Sequence, residues 1–326
     1  MMRAAAAAIQ ARPNLLYAAA VMMQEHREFQ SRRCVREEIA MLNRTRLRLH
    51  SIRSGLRAAF LAVPSTIRGY RSNRNWPALN TAQEISDRAN PLRDFFNRHR
   101  QGRGIWKWDH YFDVYHRHFS RFRGRETYVL EIGIYSGGSL EMWCDYFGSK
   151  AHIYGVDIES ACKSYENSMI KVFIGDQADR KFWSQFRREV PILDLVIDDG
   201  GHEPEQQIVS LEELLPHLRP GGVYVCEDIT KAFNPFISYL TGMVHQLNAY
   251  KGAEADVCGG EGRVSYKTTP FQSTVDSIHF YPFVTVVERA RSPVTELAAP
   301  KHGTEWQPFL DPVLPARLRS ARRNAR

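Results

Sequence analysis

Between Thr127 and Arg289 the chain alternates short apolar runs with stretches of helical periodicity, and this alternation leaves it very few folds. The runs TYVLEIGIY, AHIYGVDI, KVFIG, LDLVIDD and GVYVCEDI are rich in β-branched and aromatic residues and apolar at nearly every position. A strand with one buried face alternates apolar and polar residues, whereas a continuous apolar run needs cover on both faces. The intervening SLEMWCDYF, KFWSQFRRE and EQQIVSLEELLPHL carry apolar residues at helical spacing and supply that cover. A further helical stretch, PFISYLTGMVHQLNAY, and a Gly-rich loop over 252–262 follow. VDSIHFY and FVTVVER come next with only Pro282 between them, which predicts an antiparallel pair. The expected fold is α/β: a doubly wound, mostly parallel seven-strand sheet, Rossmann-like, with a C-terminal antiparallel edge hairpin.

Sheets of this kind bind ligands where loops leave the carboxyl ends of the strands. Polar residues gather at those positions here. The first strand runs into Glu131-Ile132-Gly133-Ile134-Tyr135-Ser136-Gly137-Gly138-Ser139, whose glycines let the backbone turn sharply and approach a ligand closely. The loop lacks the G-x-G-x-x-G spacing suited to a pyrophosphate, which disfavours a nicotinamide dehydrogenase. Asp157 ends the second strand and can accept hydrogen bonds from a ribose diol; Asp176 and Gln177 follow the third and can bracket an adenine edge. That set suits adenosine without a diphosphate.

The fourth strand ends in Asp198-Asp199-Gly200-Gly201-His202 and the fifth in Glu227-Asp228. If these strands are neighbours, several carboxylates meet and raise one another's pKa unless a divalent cation neutralises them. An all-oxygen set suits Mg²⁺, with Mn²⁺ or Ca²⁺ as alternatives. The plainer reading of these acids is that they cap helices or solvate strand ends.

In VLEIGIYSGGSLEMW, YGVDI, IGDQAD, LVIDDGGH and VYVCEDI, in that order, the chain resembles class I S-adenosylmethionine-dependent methyltransferases. Within them it is most similar to the metal-dependent O-methyltransferases that modify sugars of macrolide antibiotics and to their cephalosporin-pathway relatives. The resemblance covers about 105–290. It implies that Glu131, Gly133 and Ser139 lie beside the methionine moiety of S-adenosylmethionine, with Asp157 on the ribose and Asp176 and Gln177 at the adenine. Asp198 is grouped with this cofactor-binding set. Asp199, Glu227 and Asp228 would be the ligands of Mg²⁺ (or Mn²⁺), and His202 the general base that takes the proton of an acceptor hydroxyl. Tyr135 departs from the pattern, standing where many class I enzymes have a second loop glycine. The implied activity is methyl transfer to a hydroxyl of a small molecule, a sugar or glycosylated metabolite. A catechol- or phenol-type O-methyltransferase is the alternative within the class, and a nucleic-acid-binding protein acting through an Arg-rich arm is the alternative outside it. The resemblance also leaves a homo-oligomer open.

The net charge of +8 bears on that last alternative. Residues 1–104 hold 19 Arg, no Lys and 7 acids, and 317–326 add 5 Arg, while 105–316 carry a net charge of −9. An acidic middle repels a phosphate backbone, so no specific nucleic-acid partner is expected. Residues 1–104 read as an Arg-rich extension, disordered or targeting, and 291–326 as a basic tail. Eight Arg and no acid over 39–83 resemble an organellar transit peptide, against which Glu25, Glu28, Glu37 and Glu38 count, and a poorly ordered or loosely helical extension is the plainer reading. The expected location is intracellular, cytoplasmic or organellar. Gln10, Arg12, Pro13 and Asn14 interrupt the longest early apolar stretch, so no membrane span is expected. Five widely spaced cysteines without a C-x-x-C pair predict reduced thiols. Order is expected from near Gly104. There Trp108, Phe112, Tyr115 and Phe119 fall on one helical face that reads first as packing against the domain, and the stretch around Trp106–Tyr115 is expected to share in covering the substrate.

Overall fold

The computed structural model describes residues 60, 63–71, 89–230, 233–249, 264–300 and 302. The chain divides into two compact units, Met1–Asp87 and Arg88–Arg326. In the first, the described part is Phe60 and a helical stretch over 63–71. The remainder of the Arg-rich extension before residue 89, and the basic tail over 317–326, lie outside the described residues. Among the described residues no helix is long and apolar enough to cross a membrane.

The second unit starts earlier than the expected Gly104. Helix α1 (Pro91–Arg98) opens with Asn90, whose side chain accepts a hydrogen bond from the Leu92 N–H at 3.1 Å. Leu92 itself is fully buried in the core. Charged residues at Arg93, Asp94 and Arg98 make the segment look like part of the Arg-rich extension, but one apolar face is enough to dock it. Helix α2 spans Tyr111–Phe119 and buries Phe112, Tyr115 and Phe119, while Trp108 precedes the helix and stays half exposed.

Strands β1 (Thr127–Ile132), β2 (Ala151–Asp157), β3 (Ile170–Ile174), β4 (Leu193–Asp198) and β5 (Leu218–Cys226) are parallel. Helices α3 (Gly138–Phe147), α4 (Arg180–Glu189) and α5 (Pro204–Leu214) lie between them in sequence, and α6 (Pro235–Leu247) follows. Strand β6 (Val264–Lys267), a short helix α7 (Pro270–Thr274), β7 (Val275–Tyr281), β8 (Val284–Arg289) and β9 (Glu296–Ala299) complete the order. The main sheet has seven strands in the order β3-β2-β1-β4-β5-β8-β7, with β8 and β7 antiparallel. This is the expected sheet with its edge hairpin, and the turn is the pair Pro282–Phe283 with Phe283 at φ 62°. A second sheet, β6 paired antiparallel with β9, was not foreseen and takes part of 291–326 out of the tail. Its strand ELAA is exposed throughout and has no periodicity to signal it.

Both faces of the main sheet are covered, as continuous apolar strands require. Val129, Ile153, Leu195, Ile197, Val223 and Val225 face a core closed by Phe112, Tyr115, Phe119, Trp143 and Phe147. Their strand neighbours Leu130, Val156, Val196 and Tyr224 face Trp183, Phe186, Val209 and Leu214. Fully burying each such side chain contributes roughly 1.5–3 kcal/mol. The chain leaves β1 for β2 and β3 on one side and returns to β4 on the other, so the crevice between β1 and β4 is the topological switch point.

Candidate active site

A cavity of about 1010 Å³ opens at that switch point, lined by Gly133, Tyr135, Asp157, Asp176, Asp199, His202, Glu227, Asp228 and the segment from Gly104 to Trp108. Its first wall is the loop after β1. Gly133 has φ 79°, and a Cβ there would fall 2.1 Å from the Asp199 carbonyl oxygen, so only glycine lets the ends of β1 and β4 press together. Tyr135 adopts φ 42° despite its side chain. Asp157 holds it there: one carboxylate oxygen accepts from the Ile134 and Tyr135 N–H groups at 3.0 and 3.1 Å, and the other from Glu159 N–H at 2.9 Å. Ser139, at the start of α3, donates to buried Glu131 at 2.7 Å. Asp176 is exposed at the rim, its Oδ1 accepting from Ala178 N–H at 2.8 Å.

Of the residues expected at the cofactor, Gln177 lines the cavity, whereas Glu131 and Asp198 do not. Gln177 is buried, and its amide donates to Asp198 at 2.7 Å and Ser210 at 3.1 Å while accepting from Gly201 N–H at 2.8 Å. Its polar atoms are thus taken up by protein groups, and a 2.0 Å approach to a Cβ on Gly200 shows how tightly it supports the loop after β4. Asp198 lies beneath that loop and is not part of the cavity wall. Burial pushes its carboxyl up to about 6, against the hydrogen bonds of Tyr224 (2.7 Å) and Gln177. A residue at the end of a strand faces one side of the sheet or the other; Asp199, one position on, turns to the cavity.

The opposite wall is acidic. Asp199, Glu227 and Asp228 meet there, since β4 and β5 are neighbours. Glu227 is buried, and Tyr115 Oη donates to its Oε1 at 2.5 Å. Asp228 Oδ1 accepts from Tyr111 Oη and Trp108 Nε1, both at 2.9 Å. His202 Nε2 stands 3.9 Å from Asp199 Oδ1 and 3.8 Å from Asp228 Oδ2, too far for hydrogen bonds. Both His202 (φ 57°) and Asp228 (φ 53°) occupy the left-handed region, a strain that collects at functional sites. Ligand atoms of Asp199, His202 and Asp228 all lie within 4.8 Å of one another. Glu227 instead turns both oxygens to protein donors, Tyr115 and Lys107.

Lys107 is the residue that sequence reasoning missed. Its Nζ is 2.6 Å from Asp199 Oδ2, 3.0 Å from Glu227 Oε2 and 3.4 Å from Glu131 Oε1, with the side chain 3% exposed. Burial alone would depress the ammonium, but the three carboxylates outweigh it and hold its pKa well above the ordinary lysine value. Burial pushes Glu227 upward, and the Asp199 charge adds to that. One weak signal existed: Lys107 is the first lysine of the chain, set between two tryptophans after an N-terminal stretch whose bases are all arginine. The hydroxyls of Tyr111 and Tyr115 were equally unforeseen, because aromatic spacing reads as packing.

The sheet order and the cavity at its switch point resemble those of class I S-adenosylmethionine-dependent methyltransferases. Residues 130–229 match the family model described as "Methyltransferase domain". Demethylmacrocin O-methyltransferase of Streptomyces fradiae is 41% identical over 128 residues, 37% of this chain and 32% of that protein. The 8-demethyl-8-alpha-L-rhamnosyl tetracenomycin-C 2'-O-methyltransferase of Streptomyces olivaceus is 31% identical over 209 residues, 58% of this chain and 53% of that protein. Among solved structures, the MycE methyltransferase of the mycinamycin biosynthetic pathway, in complex with Mg and SAH, superposes with a TM-score of 0.50 at 27% identity, covering 62% of this chain and 54% of that one. The chain therefore resembles macrolide-sugar O-methyltransferases, while its matches span about a third to a half of the curated relatives' length.

Proposed function

We propose that the chain is an S-adenosylmethionine-dependent O-methyltransferase acting on a hydroxyl of a glycosylated small molecule with the aid of a divalent cation. The observation that carries this reading is the facing of two walls in one cavity. The Gly133–Ser139 loop with Asp157 and Asp176 lies on one side, and Asp199, Glu227, Asp228 and His202 lie on the other. The donor set fits both groups. Gly133, Asp157 and Asp176 would hold the cofactor, with Glu131 and Ser139 supporting its methionine end from beneath the loop. Asp199, Glu227 and Asp228 would supply an all-oxygen set of the kind Mg²⁺ or Mn²⁺ prefers, once Glu227 is freed of Lys107. A cation there lowers the pKa of an acceptor hydroxyl, and S-adenosylmethionine supplies the methyl group.

The chain's own residues do the rest. His202 Nε2 faces the acidic wall with no hydrogen-bond partner among the described residues, and takes the acceptor's proton as its oxygen bonds to the methyl carbon and the carbon–sulfur bond breaks. Trp108 and Tyr111 orient Asp228, and Tyr115 orients Glu227, each through a hydroxyl or indole hydrogen bond. Asp157 keeps the loop closed on the cofactor side. Positioning of this kind supplies much of the acceleration in an in-line displacement.

The test pairs calorimetric titration of S-adenosylhomocysteine with transfer of labelled methyl from S-adenosylmethionine to a panel of glycosides and catechols, with Mg²⁺ and with a chelator. Labelled glycosides, lost on chelation and in Asp199→Ala, support the proposal. Failure to bind S-adenosylhomocysteine, or transfer to catechols alone, refutes it.

A further inference from the structure

Lys107 brings a positive charge to the point where β1, β4 and β5 end, touching one carboxylate from each: Glu131, Asp199 and Glu227. Two of these belong to the set that would hold a divalent cation. The ammonium occupies Asp199 Oδ2 at 2.6 Å and Glu227 Oε2 at 3.0 Å, while Tyr115 occupies the other Glu227 oxygen. Glu131 Oε1, fully buried, meets the same ammonium at 3.4 Å. A divalent cation drawn to Asp199 and Glu227 would meet an ammonium within a few ångströms, and like charges at that range in a buried site repel strongly. The two cations therefore compete for the same oxygens.

The backbone confines any movement of Lys107 to a short segment. Arg103 and Gly104 press on α3, where a Cβ on Gly138 would fall 2.4 and 2.5 Å from their carbonyl oxygens. Helix α2, from Tyr111 onward, is locked in the core. Between these anchors, 105–108 is neither helix nor strand, Trp106 is 90% exposed, and Trp108 donates to the third candidate ligand, Asp228, at 2.9 Å. Lys107 and Trp108 thus both rest on the carboxylates that a cation would gather.

We propose that Lys107 is the resident counter-cation of this site, which a divalent cation displaces from Asp199 and Glu227, and that its displacement shifts Trp106 and Trp108 at the cavity mouth. The inference rests on the reading that Asp199, Glu227 and Asp228 hold a cation. The lysine keeps three converging carboxylates compatible with folding before the ion arrives. It also makes loading of the ion a rearrangement of the segment that lines the acceptor side of the cavity.

Mn²⁺ is the binding probe, with free ion measured by electron paramagnetic resonance for the full chain, Lys107→Met, Lys107→Gln and Asp199→Ala. Displacement predicts at least tenfold tighter Mn²⁺ binding by Lys107→Met and a larger rise of its Tm on adding Mn²⁺ than the unaltered chain shows. Lys107→Gln gives the same comparison if the methionine variant does not fold. In the unaltered chain, Mg²⁺ titration should change tryptophan emission in step with occupancy, and Trp106→Phe/Trp108→Phe should abolish that change. Equal or weaker Mn²⁺ binding by the lysine variants, or an emission insensitive to bound Mg²⁺, overturns the displacement while leaving the cation site standing. Absence of Mn²⁺ binding by every form overturns both.

Discussion

Gly133→Ala tests whether the site depends on the contact between the ends of β1 and β4. Two costs arise from the structure. The first is conformational: φ 79° lies in the left-handed region, where an L side chain costs about 1–2 kcal/mol. The second is steric. The new Cβ would sit 2.1 Å from the Asp199 carbonyl oxygen and 2.7 Å from the Gly200 Cα, inside the 3.0 Å below which real Cβ contacts essentially never fall. These neighbours are all backbone, so no flexible side chain can give way; forcing such an overlap costs about 1–3 kcal/mol more. Together these are about 2–5 kcal/mol, and at roughly 2–4 °C per kcal/mol for a unit of this size the Tm should fall by about 4–20 °C. Gly124→Ala is the control, because Gly124 has φ 73° with nothing within 4 Å of its Cβ position and bears only the first cost. Thermal unfolding of the two variants, followed by circular dichroism, separates the terms. S-adenosylhomocysteine affinity should fall for Gly133→Ala alone, since parting the strands moves Asp199 and the glycine loop together. A Gly133→Ala no less stable than Gly124→Ala refutes the reasoning.

Three other outcomes are expected. His202→Asn, chosen because asparagine tolerates the φ of 57°, should slow methyl transfer by about 10²–10⁴-fold with little change in Tm; a loss below tenfold would rule out the base role. Leu92→Ala should lower stability by about 2–5 kcal/mol in urea unfolding, because the side chain is fully buried; a change within 0.5 kcal/mol would return α1 to the extension. Burial alone would raise the Glu288 carboxyl, but hydrogen bonds from His118 and Arg121 bring it down to about 2. A depressed carboxyl contributes stability above its unfolded pKa of 4.5 that is lost as pH falls towards 2. The unaltered chain should therefore lose its stability advantage over Glu288→Gln across that window, and parallel curves in denaturant titrations at stepped pH would show the ion pairs to be inert.

The sequence shows its α/β alternation so plainly because burial on both sheet faces forces strands to be apolar throughout. It also shows where ligands meet the sheet, because strand ends are the positions where polar residues interrupt those runs. Asp157, Asp176, Asp199, His202, Glu227 and Asp228 were all legible in that way. The pieces that escaped have no such marker. The strand Glu296–Ala299 is exposed and short, and α1 hides one apolar face among charges. Asp198 and Asp199 cannot be told apart in sequence, yet one is buried on Gln177 and Tyr224 and the other turns to the cavity.

By itself, then, the sequence determined the fold class, the order of the functional loops and an acidic chemistry at the ends of β4 and β5, because these follow from local periodicity and strand boundaries. Only the tertiary structure decided what neutralises that acidity among the described residues. The Lys107 ammonium comes from 92 residues before Asp199 and 120 before Glu227, and no local pattern encodes a contact made across that distance.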